Sequence, residues 1–162
     1  MTRHTRRSLG AIVGLLGAAA AIAVGAASVG AKPAGKAEKG TVYAATTHTV
    51  GGTQYIAGSG TDTVFGADAV TYTVKVASIP TKPGTFTLTV KPVTIWTAAG
   101  SLTGTAKATL KVGAMSAVTV TGTVALTKGT GAMKGHSLTG TPTGTGSLST
   151  GQYVFHDKGI YK

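Results

Sequence analysis

Past Gly40 the sequence alternates apolar and polar residues with period two, and that repeat confines the chain to strands with one buried and one exposed face. Val70, Tyr72, Val74 and Val76 take one face of 69–78, while Thr71, Thr73 and Lys75 take the other. Phe86, Leu88 and Val90 oppose Thr85, Thr87, Thr89 and Lys91. In 101–112, Leu102, Gly104, Ala106, Ala108, Leu110 and Val112 read as inward, and in 117–127 so do Val118, Val120, Gly122, Val124 and Leu126. The outward positions are almost all Thr or Lys. The habit continues through Thr139, Thr141, Thr143 and Thr145, and 153–161 makes a last strand richer in aromatics. At Pro92, which has no N–H for a ladder, the phase slips, so a bulge or edge position is expected before Val93, Ile95 and Trp96.

Gly51-Gly52, Gly58-Ser59-Gly60, Pro83-Gly84, Ala99-Gly100, Gly113, Gly129-Thr130-Gly131 and Gly135 read as turns between these runs. About eight antiparallel strands with short connections follow, with no helical stripe after Ala31. Such a sheet either splits into a sandwich or closes on itself, and closure removes exposed edges. Inward Gly104, Ala106, Ala108, Gly122 and Gly140 let strands coil sharply, which favours the closed barrel over the β-sandwich.

Ahead of this pattern, Arg3, Arg6 and Arg7 precede an uncharged run from Ser8 to Ala31, the order of a signal helix that directs export. The organisation expected is a signal peptide at 1–31, a basic linker at 32–40 and the barrel at 41–162. Val29-Gly30-Ala31 offers small residues for cleavage, the competing reading being an uncleaved anchor; Thr5-Arg6-Arg7-Ser8-Leu9 suits either the twin-arginine or the Sec route. The chain has no Cys, which excludes disulfides, thiol redox chemistry and thiolate metal sites.

Beyond residue 31 every cation is Lys, twelve of them against four acids. Without arginine's planar fork, and with lysines scattered rather than clustered, specific nucleic-acid binding is not expected. A solubilising surface is the plain reading of these lysines, and attraction to acidic cell-envelope polymers is the functional one.

Ala125–Gly135 (ALTKGTGAMKG) resembles the strand, Gly-Thr-Gly turn and following glycine of the allene oxide cyclase and dirigent-like barrel superfamily, and Phe155-His156-Asp157-Lys158-Gly159-Ile160 is similar to its closing strand. The resemblance implies an eight-stranded antiparallel barrel with an apolar lumen, a homotrimer, and the handling of oxidised lipids or phenoxy radicals. It places no catalytic carboxylate here: Glu38, the only Glu, falls in the expected linker.

Other chemistry is sparse. Ala57–Phe65 differs at one position from the calcium-binding nonapeptide of β-rolls, but a single copy lacks the oxygens calcium requires, and it reads as a Gly-rich turn. His156 and Asp157 are strand neighbours pointing to opposite faces, so they cannot orient one another. Thr-x-Thr rows can order water or stack on sugar, yet a closed barrel spreads them around a curved wall. No nucleophile elbow, zinc motif or phosphate loop occurs.

The chain therefore reads as an exported barrel with no evident catalytic site and no cofactor or metal, leaning away from an enzyme. The leading expectation is a small apolar or phenolic ligand held in the barrel, with Tyr72, Phe86, Trp96, Phe155 and His156 as its candidate lining. The alternatives are a ligand-free envelope structural protein and an allene oxide cyclase-like isomerase.

Overall fold

The computed structural model describes residues 35–79 and 82–162. The expected signal helix lies outside the described residues. The chain runs through β1 (Lys36–Val50), β2 (Thr53–Asp62), β3 (Gly66–Lys75), β4 (Gly84–Thr97), β5 (Gly100–Val112), β6 (Ala117–Gly129), β7 (Leu138–Gly140), β8 (Thr143–Ser147) and β9 (Gln152–Tyr161). Each strand pairs antiparallel with the next up to β6; β7 and β8 both lie between β6 and β9, and β9 pairs with β1. The sheet therefore closes into a barrel with no free edge.

Nine segments make eight staves, because β7 and β8 keep one register against β6 and one against β9. Pro142 interrupts them by lacking an N–H, yet its carbonyl accepts from Gly122 N–H at 3.0 Å, and Thr141 N–H donates to Lys158 O at 2.8 Å. The stave is continuous in everything but one missing donor.

Val50 pairs with Thr53 across the two-residue turn Gly51-Gly52, whose φ values of +54° and +71° suit the primed turn that matches strand twist. Register shifts between Val90 and Val93 locate the bulge expected at Pro92. Gly58-Ser59-Gly60, read as a turn, instead lies inside β2; the turn comes later, where Asp62 Oδ1 accepts from the N–H groups of Val64 and Phe65, both at 2.6 Å. A Cβ on Gly58 would press on Tyr43 O and Ala44, so this glycine serves close strand approach.

Residues 36–40 were expected in a linker and are the first part of β1, paired with β9 from Lys36–Tyr161 onward. Their alternation is short and rich in Lys and Gly, so pairing to a partner over a hundred residues away, rather than local pattern, orders them.

The inward faces form the core. Leu102 and Leu126 are fully buried, and Val42, Ile56, Val74, Leu88, Val90, Leu110, Val118 and Val120 join the same cluster. Near the chain ends Phe65 meets Tyr161 edge-on at 5.0 Å, and the Tyr161 hydroxyl donates to Met133 Sδ at 3.5 Å.

Candidate functional site

Side-chain alternation leaves a cavity of about 160 Å³ along the barrel, lined at one end by Glu38, Asp62, Asp68 and Asp157 and at the other by Leu88, Leu110 and Leu148. These four carboxyls are all the acids the chain possesses. Each stands on a different stave or strand position of β1, β2, β3 and β9, and each is set beside an inward glycine. Gly40 lies opposite Asp62 on one side and Asp157 on the other, Gly60 lies opposite Asp68, and Gly159 opposite Glu38. A Cβ on Gly60 would stand 2.9 Å from Asp68 Oδ1, and one on Gly159 2.9 Å from Glu38 Oε2. Missing side chains make the room that the carboxyls occupy.

Glu38 is 5% exposed and makes no hydrogen bond among the described residues, and Asp68 Oδ1 is buried without a partner. No ion pair forms among the described residues; all eleven described lysines point to solvent. Burial therefore dominates the electrostatics. It pushes Glu38 up to about 7, with the charges of Asp157, Asp62 and Asp68 adding to the effect. Burial raises Asp68 to about 6, helped by Asp62, and raises Asp157 to about 6, helped by Asp68 and opposed by His156 on the outer face. Near neutral pH the cluster holds protons as well as charge. No three metal-ligating side chains among the described residues are placed to hold a metal ion.

Above the acids lies an aromatic tier. Tyr72 and Phe155 meet edge-on at 6.3 Å, and Tyr153 and Phe155 stack at 6.1 Å. Burial, with smaller contributions from Tyr153 and Asp157, raises the Tyr72 phenol well above its ordinary range, so it is a neutral donor. Aliphatic side chains complete the walls.

Of the candidate lining residues, Tyr72 and Phe155 face this cavity. Phe86 is half-buried against the core near the other end of β4. Trp96 is 51% exposed on the outer wall, where its Nε1–H donates to Thr71 Oγ1 at 3.0 Å; the bulge at Pro92 turns Val93 and Ile95 inward and so sends Trp96 out. His156 is also outside, with Nδ1 3.1 Å from Thr41 Oγ1, because Phe155 and Asp157 take the inward positions of β9. His48 stacks on Tyr55 at 4.4 Å, again outside, and His136 stacks on Tyr161 at 5.1 Å.

Sequence spacing does not gather these acids: Glu38 falls in the expected linker, Asp62 in the calcium-like nonapeptide that reads as a turn, and Asp157 beside an outward His156. A signal was present: every acid has a glycine two residues away, in Glu38-x-Gly40, Gly60-x-Asp62, Gly66-x-Asp68 and Asp157-x-Gly159. On a strand that spacing puts acid and gap on one face.

The fold and site define a small closed antiparallel barrel with an apolar lumen ending in carboxyls. Compared with known proteins, the chain matches no protein-family model, no curated protein and no solved structure.

Proposed function

We propose that this protein is an exported binding module that holds a small, largely apolar molecule inside its barrel. The observation that carries this reading is the cavity itself: about 160 Å³, with aromatic and aliphatic walls and with its carboxyls gathered at one end. A cavity of about 150 Å³ lined by apolar side chains is enough to take benzene, so the fitting ligand is one ring or a chain of similar bulk. The basic start and uncharged run of residues 1–31 support export, and the lysine-covered exterior supports contact with acidic envelope polymers.

Ala108 lines the cavity, and Ala108→Leu adds bulk where the ligand would lie. Titrating benzyl alcohol into the protein by calorimetry or NMR should give saturable binding that Ala108→Leu weakens tenfold or more, with the circular dichroism spectrum unchanged. Equal binding by a well-folded Ala108→Leu protein would place the ligand elsewhere and sink the reading.

The carboxyl cluster favours a second reading, the isomerase or cyclase suggested by the superfamily resemblance. Glu38, close to neutral in its titration, could serve as proton donor in one form and acceptor in the other, beside an apolar chamber that excludes water. Turnover of an epoxide or enone probe, abolished by Glu38→Gln, is its test. The homotrimer that the resemblance implies is tested by native mass spectrometry.

A further inference from the structure

Four carboxyls sharing one end of an apolar chamber, with no cation beside them, pose a charge problem. Among the described residues the one Lys that borders the cavity, Lys107, is itself exposed, and the basic groups nearest the cluster, His156 and the lysines of β1 and β9, lie on the outer wall. The other titratable groups facing the chamber, Tyr72 and Tyr153, supply no positive charge either. A buried carboxyl without a partner is costly, and such groups persist where a proton or a ligand satisfies them. Asp68 Oδ1, buried without a partner, is the clearest unmet acceptor; Glu38, nineteen-twentieths buried, makes no hydrogen bond among the described residues either.

Resting on the lumen-binding reading above, we propose that the cavity selects small amines, with the ammonium group among Glu38, Asp62, Asp68 and Asp157 and the apolar body against Tyr72 and Phe155. An ammonium brings three N–H donors on a compact charge, which suits oxygens converging from several strands. The described acids are not placed to coordinate a metal ion, which needs several oxygens at once at short range. The aromatic tier beside the cluster adds favourable ring faces for a cation. A carboxylate ligand would add a further negative charge to the same enclosed end, and a neutral alcohol would satisfy one acceptor without relieving the repulsion. Binding of the ammonium form expels protons from the cluster, so affinity rises as pH rises through the range in which those carboxyls ionise.

Benzylamine, benzyl alcohol and benzoate share a ring and differ in charge, so calorimetric titration of the full chain at pH 8 and pH 5 separates the cases. The expected result at pH 8 is benzylamine bound at least tenfold tighter than benzyl alcohol, and benzoate weakest. At pH 5 the preference for amine over alcohol should shrink at least tenfold, and at pH 8 Glu38→Gln should reduce it to threefold or less. Asp157→Asn, on another strand, gives an independent variant with the same expected direction. Alcohol binding as tightly as amine at pH 8, benzoate binding tighter than either, or a preference that survives both substitutions overturns the proposal while leaving the lumen reading intact. Binding of none of the three overturns both.

Discussion

Glu38 is the residue on which most of the functional argument turns, and its environment makes a measurable statement about stability. Its carboxyl titrates near 7 in the fold, chiefly because burial disfavours the charged form and secondarily because Asp157, Asp62 and Asp68 repel it. A carboxyl raised in this way favours the fold fully below its unfolded value, and the advantage is lost as pH rises through the folded one. With about 1.4 kcal/mol for each unit of pKa displacement, replacing the group by a neutral isostere should stabilise the protein by on the order of 2–3 kcal/mol at pH 8. Glu38→Gln is therefore expected to raise the urea midpoint at pH 8 and leave it nearly unchanged at pH 4; a lower midpoint at pH 8 would refute the burial argument. At the opposite extreme, Leu102 is buried without polar atoms, and Leu102→Ala should cost about 3–5 kcal/mol in the same measurement. The burial of Leu102 and Leu126 was legible from alternation alone. Glu38 was not, because its only mark is the glycine two residues on, and the Lys and Ala around it do not alternate apolar with polar.

At the scale of the strand, alternation places a side chain on a face but does not say where a strand starts. The inward sets of β5 and β6 and the slip at Pro92 were readable because long Thr and Val runs fix the parity. The first residues of β1 were not, since their order comes from β9. Gly58-Ser59-Gly60 misled for a related reason: glycine marks turns and close strand approaches alike, and only the pairing of Gly58 with Ala44 distinguishes them. Gly104 shows the same use of glycine at the β5–β6 register shift, where an added Cβ would collide with Ala125 O and Leu126 Cα. Gly104→Ala should thus force β5 and β6 apart and destabilise by about 1–3 kcal/mol, the usual range for overpacking. A melting temperature within a degree of the parent would show that the strands can give way there.

For the whole molecule, closure was foreseeable, since small inward residues and eight strands without helices leave few arrangements. The contents of the chamber were not, because which inward residues share a level depends on register and stagger, and neither is written in a single strand. Closure also pools the acids of four strands into one response to pH. Glu38, Asp68 and Asp157 are all raised, so each takes up protons on folding in the window between its ordinary value and about 6–7. Thermal stability is expected to be greater at pH 5 than at pH 8, by about 5 °C or more in melting temperature, and Glu38→Gln should flatten the profile. A melting temperature that increases from pH 5 to pH 8 would contradict the placement of these groups inside.

The sorting of charge, lysines outside and carboxyls within, also changes what the exterior does in salt solution. Among the described residues the outer wall bears one sign, so it gathers a cloud of small anions with no local acid to thin it. A long anionic polymer laid along that wall would return those ions to solution and gain from their release, as polyanions do with any lysine-rich surface. Its attachment should therefore weaken steadily with added salt, while an occupant of the chamber, shut away from that cloud, should scarcely notice the salt at all.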